Sequence, residues 1–176
     1  RGELDVGYYI DATPSDGLMS GLLPERTIGH GRFRLMPLTR FQYRVIAPAA
    51  WREKVIGKDW AELAGLPWLA TSPQSAHRRL IDDIFRPMGS LPKRVAFTDQ
   101  EEVMIDFVES GICLSLAREG VLDRITRKRD FVIADKVAIM CDLGFVSLAS
   151  RRQEPLIADA FAAMQAAWDL QPAHST

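Results

Sequence analysis

The stretch PWLATSPQSAHRRLIDDIFRPMG, residues 67–89, decides the fold. Its first four residues are apolar and too few for a helix, which suits a strand buried on both faces. TSPQS, residues 71–75, then breaks the apolar run with small hydroxyl residues and a proline. Beyond it Leu80, Ile81, Ile84, Phe85 and Met88 recur at helical spacing on one face, and Gly89 stands where a left-handed C-cap belongs. Downstream, residues 94–97 read as a second strand, and Thr98-Asp99-Gln100-Glu101 has capping-box spacing, with Thr98 as the expected N-cap. Val103, Met104, Phe107 and Val108 then line a helix that Gly111 closes, and residues 112–116 form the next strand. Strand, helix, strand, helix, strand with short connections is the pattern of a parallel sheet covered by crossover helices, so the chain is of the α/β class.

The flanks are less regular. Residues 4–10 (LDVGYYI) form a β-prone run ended by Asp11 and a Pro, Ser, Asp, Gly cluster at 14–17. Residues 11–31 show little periodicity, with a short apolar turn over 20–25. Residues 33–36 and 41–47 read as two further strands, the second ended by Pro48. Asp59 starts a brief helix over 60–63, terminated by Gly65 and Pro67. A short helix over 118–125 and a solvated basic loop with Arg124, Arg127, Lys128 and Arg129 precede a strand at 144–150 and a closing helix over 155–170.

The 176 residues have 47% hydrophobic and 26% charged side chains, which excludes disordered and collagen-like chains. A net charge of −1 makes the chain alone a poor nucleic-acid binder, because phosphate neutralisation demands a basic excess. Cys113 and Cys141 lie in apolar surroundings without metal or redox spacing, so both are expected as reduced, buried thiols in the cytoplasm. No apolar run approaches a membrane span. The chain opens on Arg1 without a leader pattern, as a fragment would.

Chemistry-bearing residues are few. His30 sits in a Gly-His-Gly turn, His77 at a helix start and His174 in a polar tail; no metal-ligand, phosphate-loop or nucleophile-elbow motif is present, so neither metal nor cofactor is expected. Ser72 or Ser75 with His77 is too local a set to converge on one proton. TSPQS supplies a helix N-terminus with unpaired amides and several hydroxyls, which suits a carboxylate or another anion. It is equally a plain cap, Ser72 with Pro73 as the first helical residue. A second such turn at Thr98 lies at the same edge of a parallel sheet, where ligands gather, and both readings stay open on the residues alone. Asp99 is expected to point outward or to bind a ligand donor.

In order along the chain, GELDVG at 2–7, FQYRVIAP at 41–48, WAELAGLPWLA at 60–70, RRLIDDIFRPMGSLP at 78–92, FVESGICLSLAREGV at 107–121 and FVSLASRRQEPLIADAF at 145–161 resemble the effector-binding domain of LysR-type transcriptional regulators. The resemblance implies a two-lobed, type 2 periplasmic-binding-protein-like α/β fold. Residues 1–39 with 143–176 would form lobe I, lacking the family's N-terminal strands, and residues 40–142 would form lobe II. A small metabolite would bind between the lobes, and no reaction would be catalysed. By family position its contacts would come from Tyr9, Ile10 and Asp11, from Ser72 through His77 including Gln74 and Ser75, and from Thr98. The resemblance further implies a homodimer or homotetramer, and DNA binding only through a helix-turn-helix domain absent from this chain. Ile10 stands where several members have a polar or basic residue. It points to a partly apolar carboxylate as effector, with Trp68 or Tyr9 beside an aromatic part. Cys113 stands where a glycine is common and reads as a small buried residue. The alternatives are a solute-binding protein of a transporter and an enzyme on the same fold.

Overall fold

The computed structural model describes residues 5–12, 26–28, 31–125 and 128–168. The expected turn at 20–25, the histidines His30 and His174, and Arg127 of the basic run lie outside the described residues. The chain divides into two compact units, Arg1–Arg40 with Cys141–Thr176, and Phe41–Met140. Two long strands run through the divisions, β3 (Phe33–Pro48) and β7 (Phe131–Leu148).

Both long strands differ from the sequence reading. Residues 33–36 and 41–47 are parts of one strand, because Pro37 and the polar residues after it stay in extended backbone; a proline lacks only the ladder donor and is tolerated at the margin of a sheet. The strand expected at 144–150 is the last part of an 18-residue strand. Val137 to Cys141 alternates buried and exposed, the period of a strand with one covered face. The exposed pair Asp135-Lys136 hid that alternation. Asp135 has a local task, accepting the Gly57 N–H at 2.7 Å.

In the first unit β1 (Val6–Ala12) pairs antiparallel with β7, from Val6 opposite Ser147 to Ala12 opposite Cys141. On the other side β2 (Arg26–Ile28) pairs antiparallel with the start of β3. The closing helix α6 (Pro155–Ala167) lays Ile157 and Phe161 onto Met36, Leu38 and Phe145, with the two phenylalanine rings 4.9 Å apart. Gly144 suits the close approach of β7 to β3, since a Cβ there would stand 2.9 Å from the Leu35 side chain.

The second unit holds two one-turn helices, α1 (Arg52–Val55) and α2 (Trp60–Leu63), the latter closed by a reciprocal Asp59–Glu62 capping box. Then come β4 (Pro67–Ala70), α3 (Ala76–Phe85), β5 (Lys93–Phe97), α4 (Glu101–Glu109), β6 (Ser115–Arg118) and α5 (Glu119–Ile125). β4 and β5 are parallel, and Trp68 bridges in parallel to Leu114, so the crossover pattern read from residues 67–116 is present. β6 itself begins at Ser115 and pairs antiparallel with β3.

Trp68 organises this unit. It is fully buried, donates its Nε1–H to the Leu63 carbonyl at 2.9 Å, stacks on Trp60 and meets Phe85 edge-on at 5.4 Å. It is therefore unavailable to an effector, which corrects the aromatic contact expected of it. Leu69, Met104 and Cys113 form the adjoining cluster, and burial pushes the Cys113 thiol up to about 11, so it stays protonated at neutral pH. Trp68→Ala is expected to cost about 3–5 kcal/mol of stability, because the cavity left behind collapses incompletely. Trp68→Phe should cost less, since it keeps ring contacts and the Leu63 carbonyl still accepts the Leu66 N–H at 3.2 Å. Urea unfolding followed by circular dichroism measures both.

Candidate functional site

The chain leaves β4 at Ala70 and makes a tight turn before α3. The Ser75 N–H donates to the Ser72 carbonyl at 3.0 Å, closing a turn around Pro73 and Gln74. The Ser75 hydroxyl accepts the Arg78 N–H at 3.0 Å, so Ser75 is the N-cap and α3 starts at Ala76. The cap expected at Ser72, with Pro73 as first helical residue, is thus displaced by three positions. Proline's fixed φ serves the second position of a β-turn as well as a first helical turn, and here the turn takes it. Thr71 is buried behind the cap, its hydroxyl 2.6 Å from that of Ser75.

The second turn is displaced in the same direction. α4 starts at Glu101 with Gln100 as its N-cap, and the Thr98 hydroxyl accepts the Gln100 N–H at 3.1 Å. A capping box needs the Thr98 amide for the Glu101 carboxylate. That amide donates instead to the Ala70 carbonyl at 3.1 Å, prolonging the β4–β5 ladder, while Glu101 pairs with Arg118. Asp99, expected to face outward or to wait for a ligand, accepts the Ser72 N–H at 2.8 Å and ties the two turns together.

His77 lies in the first turn of α3 and is 7% exposed. Its Nε2 accepts the backbone N–H of Leu116 at 3.1 Å, and its ring meets Tyr43 edge-on at 6.5 Å. An acceptor at Nε2 places the single proton of the neutral imidazole on Nδ1. Among the described residues Nδ1 has no hydrogen-bond partner. Burial holds the pKa of His77 down to about 4, against weaker opposing pulls from the carboxylates of Glu101 and Asp99, and the Leu116 N–H, which Nε2 can accept only while unprotonated, also favours the neutral ring.

Ser72, Ser75, His77 and Thr98 are therefore gathered around one pair of turns in the second unit, with Gln74 exposed at the tip. Tyr9, Ile10 and Asp11 lie on β1 of the first unit, half-buried, opposite Gly144, Leu143 and Asp142. Two elements there and here escaped the sequence reading: the ion pair of Arg40 with Asp142 at 2.8 Å, and the Thr71 hydroxyl. Only the antiparallel register reveals the first. The second was signalled by the position of Thr71, directly after an apolar strand. No group of three or more metal-binding side chains occurs among the described residues.

The cap assignment predicts that Ser75→Ala loses about 1–2 kcal/mol in chemical denaturation. Ser72→Ala should stay within about 0.5 kcal/mol, since Ser72 acts through its main chain. The histidine predicts a pH dependence. Its folded pKa lies below the unfolded value near 6.5, so the unfolded chain takes up the proton first and stability is lost as pH falls from about 6.5 toward 4. Between pH 7 and 5 the loss from this group is about 2 kcal/mol. His77→Gln keeps an acceptor for Leu116 and has no proton to gain, so its unfolding free energy should fall less steeply over that range.

The comparison with curated proteins gives no match. Among solved structures, the regulatory domain of CcmR from Synechocystis, in complex with 2-PG, is similar with a TM-score of 0.62 at 14% identity, over 94% of this chain and 75% of that one. The effector binding domain of QuiR in complex with shikimate follows at 0.60 and 17% identity, over 91% of this chain and 69% of that one. Full-length CbnR complexed with its target DNA gives 0.57 at 13% identity, over 94% of this chain and 52% of that one, so this chain spans about half of that regulator. At such identities these likenesses carry the fold, the two-lobed type 2 periplasmic-binding-protein-like architecture. The family model described as LysR substrate binding domain matches residues 1–169, which favours the regulator's domain over a transporter's solute-binding protein, and the chain belongs to that family.

Proposed function

We propose that this chain is the sensing part of a LysR-type transcriptional regulator, and that Ser72, Gln74, Ser75, His77 and Thr98 hold part of its effector. The observation that carries this reading is the set of unspent donors at the α3 turn: a buried Nδ1–H on His77 without a partner among the described residues, beside a helix start. A buried donor left unmade costs about 1–3 kcal/mol, a cost that an acceptor on a ligand removes. Tyr9, Ile10 and Asp11 are proposed as effector contacts on the family resemblance. Ile10 supports an effector that is partly apolar, such as an aromatic or branched carboxylate. No catalytic step is assigned, because His77 is the one histidine among the described residues and its Nε2 is already committed to the backbone.

In the whole protein the effector would act by binding two arrangements of the regulator with different affinity, so altering how separate DNA-binding domains hold an operator. Homodimers or homotetramers in the cytoplasm fit that role. Among the described residues no helix is long and apolar enough to cross a membrane.

Thermal unfolding against a panel of small carboxylates and aromatic acids, shikimate and 2-PG included, tests the reading. A ligand at 100 times its Kd should stabilise by about 2.7 kcal/mol, a rise of roughly 5–10 °C. The double variant Thr71→Val, Ser75→Ala should lose most of that rise. A ligand that stabilises the variant and the parent equally overturns the cradle.

A further inference from the structure

We infer that the ligand of the α3 turn presents two adjacent groups, an oxyanion that only accepts hydrogen bonds and a donor such as an ammonium or hydroxyl, as amino acids and hydroxy acids do. This rests on the α3 turn being an effector contact and adds the chemical class.

The hydrogen-bond inventory of the turn is one-sided. Thr71 and Ser75 have two hydroxyl protons and share one bond at 2.6 Å, so whichever donates, one proton remains without an acceptor among the described residues. The first backbone bond of α3 is the Arg79 N–H to the Ser75 carbonyl at 3.2 Å, and the Arg78 N–H is taken by the Ser75 hydroxyl. The amides of Ala76 and His77 are thus the ones left at the helix start. Independently of the helix end, His77 offers Nδ1–H from a side chain that is 7% exposed. Because Nε2 points to Leu116, Nδ1, bonded to Cγ, lies on the helix side of the ring, within the same first turn. Every one of these groups can give a proton, and the amides and Nδ1–H can do nothing else. A carboxylate answers them; an amine does not.

One charged group beside them only accepts. Asp99 uses Oδ1 on the Ser72 N–H at 2.8 Å, is exposed, and has no ion-pair partner among the described residues. The nearby Glu101 differs, being paired with Arg118. The unneutralised charge of Asp99, one residue contact away from the donor set, opposes a second negative charge on the ligand. Its remaining acceptor capacity suits a ligand N–H or O–H. Acceptor on the turn and donor on Asp99 define an amino or hydroxy acid, and disfavour a dicarboxylate.

The test is a thermal-shift and calorimetric screen of the intact chain with four matched sets of small compounds: monocarboxylates, dicarboxylates, α-amino acids and α-hydroxy acids sharing the same side chains. Amino or hydroxy acids should bind at least about 10-fold tighter than the matched monocarboxylates, and dicarboxylates weakest. Asp99→Asn keeps an acceptor for the Ser72 N–H and removes the charge, so the turn stays closed. It should erase most of that preference and admit dicarboxylates, while Ser75→Ala weakens every class. Monocarboxylates or dicarboxylates binding best, in a manner that Ser75→Ala weakens, would overturn the donor requirement and leave the cradle standing. Binding by no class, or binding indifferent to Ser75→Ala, would overturn both.

Discussion

The parallel pairing of β4 with β5 is the constraint on which the second unit depends. Parallel strands deliver their carboxyl ends to the same edge, so the turns that follow them must lie side by side. Ala70 opposite Phe97 is the last register pair, and the Thr98 N–H to the Ala70 carbonyl adds one more rung beyond it. That rung decides the geometry of both turns. It spends the amide that a capping box would have used, moves the start of α4 to Glu101, and leaves Asp99 free to accept the Ser72 N–H. An interaction in the sheet thereby selects the hydrogen bonds of the candidate site.

His77 joins that edge to the rest of the unit. It stands on α3, its ring nitrogen is held by β6, and its ring makes a T-shaped contact with Tyr43 on β3. The bond to the Leu116 amide does more than hold the ring, because it also fixes which nitrogen bears the proton. A histidine with both nitrogens in water would exchange tautomers and titrate near neutrality. This one is a fixed, neutral donor over the physiological range, a property that follows from burial and one backbone amide. The ring cannot simultaneously be a base at Nε2, which is the physical ground for setting aside a Ser-His dyad at TSPQS.

How much of this was legible in the sequence follows from the range of the interactions involved. Pro67 to Ala70, the stripe Leu80, Ile81, Phe85 and the Asp59 box were legible because local patterning decides them, and each lies in the element expected. The two N-caps were not. TSPQS holds three hydroxyl residues and TDQE holds one with correct capping spacing, so local chemistry permits several starts. At α4 the choice was made by the Ala70 carbonyl and by Arg118, and at the α3 turn Asp99 holds the Ser72 N–H, all remote in sequence from the residues they commit. The length of β7 was hidden by Asp135, Lys136 and Asp142, whose charges imitate a loop but have partners or solvent at the strand surface. Family resemblance supplied the order of the elements and the candidate positions. It carried no information on which donors those positions would leave unspent.

The polar groups at the α3 turn also follow a rule of cost. Burying an unpaired charge is far more expensive than burying a neutral donor. The groups that are covered here, Thr71 and His77, are neutral, and the charge of Asp99, which has no ion-pair partner among the described residues, is kept exposed. A site assembled from hydroxyls, a neutral imidazole and a helix start can meet a ligand's negative charge with partial positive charges that need no counterion in the ligand's absence. An arginine in the place of His77 would bind an anion more strongly but would require a partner when the site is unliganded. The neutral set asks for less, and it leaves the sign of the ligand's second group to be decided by the exposed carboxylate alone.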